Sequence, residues 1–143
     1  MHKRIVLIAI LIIGSIYLAA CNSESGNIVR WYSEEQVVKG NTLYQKDCAQ
    51  CHKTDASGGP INGTDSFAPA LNGTMHTWHH SHDVLRRTIK LGGAPVGGMM
   101  PGFKNKLSDS EIDSILSWVQ SHWSDEIYAA WDKRNKVNQT GKK

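Results

Sequence analysis

The apolar residues of this chain fall into helical spacing three times, separated by two stretches with no period at all. Val37, Gly40, Leu43 and Tyr44 share one face of a helix. Ser33 can cap it, and Gln36 three residues later completes a capping box. The spacing predicts a helix running into Cys48. A second helix is predicted from a cap at Ser81 or Asp83 to about Leu91, with Val84, Leu85, Ile89 and Thr88 on its inner face. Gly92 supplies its stop. The third begins at another capping box, Ser108 to Glu111, and carries Ile112, Ile115, Leu116, Val119 and Trp123. Beyond it, residues 124–143 form an extension. Ile127, Tyr128 and Trp131 are within reach of packing, and the polar end past Lys133 is expected to be partly disordered. No strand pattern and no internal repeat is visible, so the fold class is all-α.

The two stretches between the helices are informative. From Lys53 to Thr77 the chain reads Gly58-Gly59-Pro60, Asn62-Gly63 and Asn72-Gly73, all turn sequences, with apolar points at Phe67, Pro69 and Leu71. A free loop of that length is unusual in a small domain. Wrapping a large rigid cofactor is a physical reason for it. The second stretch, Gly92 to Gly102, holds Met99-Met100-Pro101. Gly40 in a helix interior costs ~1 kcal/mol relative to alanine, which predicts close approach of another helix there.

The start of the chain is a different kind of sequence. His2-Lys3-Arg4 is basic, and Ile5 to Tyr17 is almost unbroken apolar sequence. That run is shorter than the ~20 residues a comfortable membrane span needs. A basic start, a short apolar core and small residues read as a secretory signal, residues 1–20. Leu18-Ala19-Ala20-Cys21 resembles the lipobox of bacterial lipoproteins. The resemblance implies lipid attachment at Cys21, on the periplasmic face of a bacterial membrane. An uncleaved anchor and a cleaved signal with a free cysteine are the other readings. Residues 21–32 then read as a flexible tether and 33–123 as the domain. Asn22 after the cysteine points weakly to an outer membrane.

Among 143 residues the net charge is +3, and losing Lys3 and Arg4 with the signal leaves it near neutral. That balance argues against a nucleic-acid binder, and no phosphate-binding glycine loop is present.

Cys48-Ala49-Gln50-Cys51-His52 carries the chemistry. Cys-x-x-Cys-His is the attachment site of a c-type haem. Each thiol adds across one vinyl group, and the two-residue gap lets one helical turn bring both sulfurs to one porphyrin edge. His52 then offers an imidazole to the iron. A thioredoxin-like redox pair or half of a zinc site also uses Cys-x-x-Cys, but neither requires the histidine. With Cys21 assigned to lipid and Cys48 and Cys51 to one covalent haem c, no cysteine is left for a disulfide. For a sixth ligand the candidate is Met100, ahead of Met99. A thioether favours ferrous iron and raises the potential, and Pro101 stiffens the strap that presents it. Methionines filling gaps in a core are the alternative.

Gly40 and Tyr44, the Cys48–His52 motif, Pro69-Ala70-Leu71-Asn72-Gly73, Met100-Pro101-x-Phe103 and the helix after Leu107-Ser108 together resemble the class I, monohaem His/Met cytochrome c family over roughly residues 34–123. The resemblance implies three main helices and loops wrapped around one haem. It implies that the first and last helices cross at Gly40, near an aromatic. It implies that the Pro69 carbonyl accepts a hydrogen bond from His52 Nδ1 and that Leu71 packs on the haem. Its bacterial, lipid-anchored form is the variant this chain looks like.

One segment departs from that pattern. His76, His79, His80 and His82 crowd around Trp78. The plainer reading is a polar loop in which Trp78 Nε1 donates to a haem propionate. The sharper one is a second copper or zinc site. An exported, membrane-anchored carrier of single electrons, not itself an enzyme, is the function expected. Its partners would be redox proteins: an oxidase, a quinol-oxidising complex or a periplasmic reductase. Lys39, Lys46, Lys53, Lys104 and Lys106 could form a basic rim that steers an acidic partner. A small-molecule-binding haem enzyme or sensor whose sixth ligand leaves, or a metal-delivery module using the histidines, are the alternatives.

Overall fold

The computed structural model describes residues 28–140. The expected signal at 1–20, Cys21 with its expected lipid and the start of the expected tether lie outside the described residues, as do residues 141–143. Helix α1 is Glu34–Asp47 and is followed by the single turn α2, Ala49–His52. Strands β1, Gly59–Pro60, and β2, Phe67–Ala68, come next. A 3-10 turn at His76–His79 leads to α3, His82–Leu91. Another short 3-10 turn, Ala94–Val96, sits in the glycine-rich loop. Helices α4, Asp109–Ser121, and α5, Asp125–Thr140, close the chain. The all-α expectation holds. The two strands amount to one antiparallel pair, with Gly59 opposite Ala68 and Pro60 opposite Phe67. It pinches the long loop at its neck.

Local sequence sets the helix ends. Ser33 and Gln36 form the expected reciprocal capping box, and Ser108 and Glu111 do the same. Ser81, not Asp83, caps α3 by accepting the Val84 N–H. Gly92 ends that helix at φ 78°, a left-handed backbone that favours glycine. Thr88, expected on the inner face of α3, is instead exposed. Its hydroxyl turns back to the Val84 carbonyl at 2.9 Å, leaving Leu85 and Ile89 to face the core.

The frame of the molecule is the crossing of α1 and α4 at Gly40. A Cβ on Gly40 would stand 1.8 Å from the Ser114 carbonyl oxygen, so only glycine allows this approach. One turn on, the fully buried Tyr44 meets Trp118 with ring centroids 4.1 Å apart. Ile112, Ile115, Leu116 and Val119 fill the same layer. Each such side chain, fully buried, stabilises the fold by about 1.5–3 kcal/mol. This crossing fixes the direction in which α1 delivers Cys48.

Two segments are more ordered than their sequences suggest. Tether residues were expected through position 32, yet the chain is packed from Ile28 onward. The Trp31 N–H donates to Tyr128 Oη at 2.9 Å, and its indole N–H to Gln120 Oε1 at 2.6 Å. Arg30 lies over the Tyr128 ring and pairs with Asp125. At the other end the described backbone of α5 runs through Thr140, and its packing on the domain reaches at least Asn135. The reason is polar packing: Asn135 is buried through hydrogen bonds, which an apolar period does not register. Among the described residues no helix is long and apolar enough to cross a membrane.

Candidate haem-binding site

Helix α1 hands its last carbonyls to the attachment motif. The Cys48 N–H bonds the Tyr44 carbonyl, and the His52 N–H bonds the Cys48 carbonyl at 3.0 Å. Cys48 and Cys51 therefore sit three residues apart on one turn, the spacing that puts side chains on the same helical face. Both are free and half-buried. Burial, with the neighbouring Asp47 carboxylate adding to it, pushes the Cys48 thiol up to about 12. A thioredoxin-like pair is activated by a shift of the opposite sign.

His52 is buried, and its Nδ1 lies 2.9 Å from the Pro69 carbonyl oxygen. Burial pulls its pKa down, partly opposed by that carbonyl. The neutral ring donates from Nδ1, which leaves the Nε2 lone pair for a metal. Ligation requires this neutral form, and a carbonyl acceptor behind the ring strengthens the donor.

The loop after the motif is held in place by backbone bonds. Tyr44 Oη donates to the Lys53 carbonyl at 3.1 Å, and Gly58 N–H to the His52 carbonyl at 2.9 Å. Gly58 has φ 66°, and a Cβ there would meet the Ala68 carbonyl at 2.4 Å. The strap 68–71 is thereby pressed against the motif, with Pro69 at its centre. Leu71 joins through its N–H to the Ala56 carbonyl at 2.8 Å.

Met100 arrives on a separate loop folded back on the end of α3. The Gly93 N–H bonds the Met100 carbonyl at 2.9 Å, and the Phe103 N–H bonds the Ile89 carbonyl at 3.0 Å. Met100 is half-buried. Met99 is 68% exposed, and its sulfur accepts the Ser66 hydroxyl at 2.7 Å.

The histidines of the 76–82 segment divide. His82 Nε2 lies 3.0 Å from Asp113 Oδ1, a carboxylate it shares with Arg86, and its ring packs edge-on to Trp31 and Trp131. His79 sits edge-on to Trp78, and only the His76 and His80 rings approach each other, at 5.7 Å. Among the described residues no three His, Cys, Asp or Glu side chains converge on a metal position. Trp78 is half-buried and packs against the core. Of the expected basic rim, Lys106 is neutralised by the buried Asp47, while Lys53 Nζ donates to the Pro60 carbonyl and keeps its charge.

The sequence model of the family described as "Cytochrome c" matches residues 37–123, more than half of the chain. This chain is a member of the cytochrome c family. It is 32% identical over 87 residues to a Cbb3-type cytochrome c oxidase subunit CcoP of Azospirillum sp. (strain B510), covering 60% of this chain and 28% of that protein. It is 30% identical over 91 residues to the cytochrome c subunit of an alcohol dehydrogenase (quinone) of Gluconobacter oxydans (strain 621H), covering 59% of this chain and 18% of that one. A gluconate 2-dehydrogenase cytochrome c subunit of Pantoea cypripedii is 26% identical over 121 residues, covering 75% and 27%. The cytochrome thus spans under a third of the length of these relatives. No solved structure gives a significant match.

Family membership implies one covalently bound haem c and an electron carrier's chemistry. The residues present fit that group: two free thiols on one helical face and a neutral buried imidazole directed by Pro69. Several residues around the strap carried no functional signal in the sequence. Thr77 is buried and donates to the Ala70 carbonyl at 2.9 Å. Trp123, Trp131, Arg134 and Asn135 all bond to residues 71–82. The i, i+4, i+8 spacing of Trp123, Ile127 and Trp131 was the one available clue.

Proposed function

We propose that this cytochrome is an exported, lipid-anchored carrier of single electrons between redox proteins, with Cys48 and Cys51 bearing the thioethers and His52 and Met100 the iron. The observation that carries the reading is the 2.9 Å contact to the Pro69 carbonyl from Nδ1 of His52, the residue directly after the cysteine pair. It fixes the tautomer and aims the other ring nitrogen. When bound, the haem supplies a one-electron couple whose potential depends on its axial ligands and burial.

The protein's own part is to hold that couple still. The Gly40 crossing fixes α1, α1 fixes the motif, the 68–71 strap orients the imidazole, and burial keeps it neutral. Met100 is favoured as the second ligand because it is half-buried, whereas the Met99 sulfur is occupied by Ser66. Two protein ligands leave no coordination position for a substrate, so the cytochrome passes electrons and catalyses no bond change. Its partners are members of respiratory or dehydrogenase assemblies, in line with the oxidase and dehydrogenase subunits it resembles. Lipid at Cys21 keeps it on the periplasmic face of a bacterial membrane.

The Cys48→Ala/Cys51→Ala variant tests the attachment directly. Run on a denaturing gel and stained for haem peroxidase activity, wild type gives a band and the double variant none. A stained band from the double variant refutes covalent attachment at these residues.

A further inference from the structure

The family match ends at Trp123, and α5 lies beyond it. This helix does something specific. Three of its residues, and Trp123 just before it, meet the backbone of residues 71–82. Trp123, just before α5, donates its indole N–H to the Leu71 carbonyl at 2.8 Å. Trp131 donates to the His80 carbonyl at 3.0 Å. Arg134 donates to the Trp78 carbonyl at 3.0 Å, and its guanidinium lies 4.8 Å from the centre of the Trp78 ring. Asn135 Oδ1 accepts the His82 N–H at 2.9 Å, while its own Nδ2 is tied to the Trp131 carbonyl. Trp131, Arg134 and Asn135 are spaced i, i+3, i+4, so one helical face makes all three contacts.

Between these points the packing leaves no slack. Gly73 has φ 95°, and a Cβ there would touch Trp123 at 3.2 Å and Ile127 at 3.3 Å. The strap is tied inward as well. Thr77 Oγ1 donates to the carbonyl of Ala70, the neighbour of the proline that orients His52. A continuous chain of bonds therefore runs from Arg134 and Trp131 through residues 77–80 to Ala70 and Pro69.

We propose that Trp131, Arg134 and Asn135 are positioning residues of the haem pocket: α5 clamps the 71–82 strap from behind and thereby sets the reduction potential of the haem. The inference rests on the haem-carrying reading above. The mechanism is exclusion of water. A clamped strap keeps the pocket dry and the Pro69 carbonyl in register with His52. A loosened strap admits water, which stabilises the more highly charged ferric form. Burial and outer hydrogen bonds are the levers by which a protein tunes such a couple.

The test uses the purified holoprotein with Trp131→Phe, Arg134→Ala and Arg134→Lys. Trp131→Phe keeps an aromatic ring and loses the N–H. Arg134→Ala removes a surface side chain and leaves the core intact, so it decides alone if Trp131→Phe does not fold. Each is titrated redox-spectroscopically, and its thermal midpoint and backbone hydrogen exchange over residues 70–82 are recorded. The expected result is full covalent haem in every variant and faster exchange in the strap. At the wild-type midpoint potential the ferrous-to-ferric ratio falls several-fold in Trp131→Phe and Arg134→Ala, and Arg134→Lys recovers part of it. A lowered thermal midpoint with an unchanged redox titration overturns the proposal and leaves α5 a packing element only. Absence of haem from the wild type is a separate outcome, which removes the haem reading and this inference together.

Discussion

At Cys48 and His52 burial acts on the two pKa values in opposite directions with one result: both side chains stay uncharged. The thiol is raised to about 12 and the imidazole is lowered. Two neutral groups suit a site that meets a large apolar ring. Met100 and Met99 are neighbours in sequence and differ in surroundings, and this gives the sharpest residue-level test. Met100→Ala should remove the sulfur-to-iron charge-transfer band, make the ferric haem high-spin or water-ligated, and lower the potential, because a soft ligand favouring ferrous iron is lost. Met99→Ala should leave the band in place. Absorption spectra of the two ferric variants decide it; the reverse pattern moves the ligand to Met99. The ligand-bearing motif was legible residue by residue, since its chemistry is contiguous. The contact of Arg134 with Trp78 was not, because Arg134 lies more than fifty residues away in a segment without a motif.

Helices reveal themselves in this sequence where apolar spacing and caps agree. Both capping boxes and the glycine stop of α3 formed as the sequence indicates. The Gly40 crossing was legible too, because an unfavourable residue in a helix needs a reason. Helix α5 was only half legible: its buried face mixes Tyr128 and Trp131 with Asn135, and hydrogen bonds rather than apolar period hold that polar position. Trp31 belongs to the same class, a tether residue recruited by Tyr128 and Gln120. Gly40→Ala separates local preference from tertiary contact. Propensity alone favours alanine by ~1 kcal/mol. The crossing opposes it, since a Cβ would fall 1.8 Å from backbone oxygen. The contact should win and destabilise the protein by about 1–3 kcal/mol or more, the usual cost of overpacking. A thermal midpoint at or above that of wild type would show that the helices can part cheaply.

For the molecule as a whole, the proposed reading puts anchoring and electron transfer on separate parts: Cys21 lies outside the described residues, and the haem motif is α2 with its cap Cys48. Cys21→Ala should therefore yield an exported protein that leaves the membrane fraction and still stains for haem. One acyl chain alone holds a protein to a membrane only marginally, so on the proposed reading the variant loses the several chains of a lipoprotein. A variant that is demonstrably cleaved and yet stays with the membrane would transfer the anchoring role to another part of the chain. On the proposed reading the cytochrome holds a six-coordinate haem between His52 and Met100 and exchanges electrons and nothing else. Redox titration of the purified cytochrome with its absorption spectrum recorded, followed by carbon monoxide added to the reduced form, tests it most directly. The expected result is a single one-electron transition, a low-spin spectrum in both states and no rapid change with carbon monoxide. A high-spin reduced spectrum that shifts at once when the gas is added would contradict it.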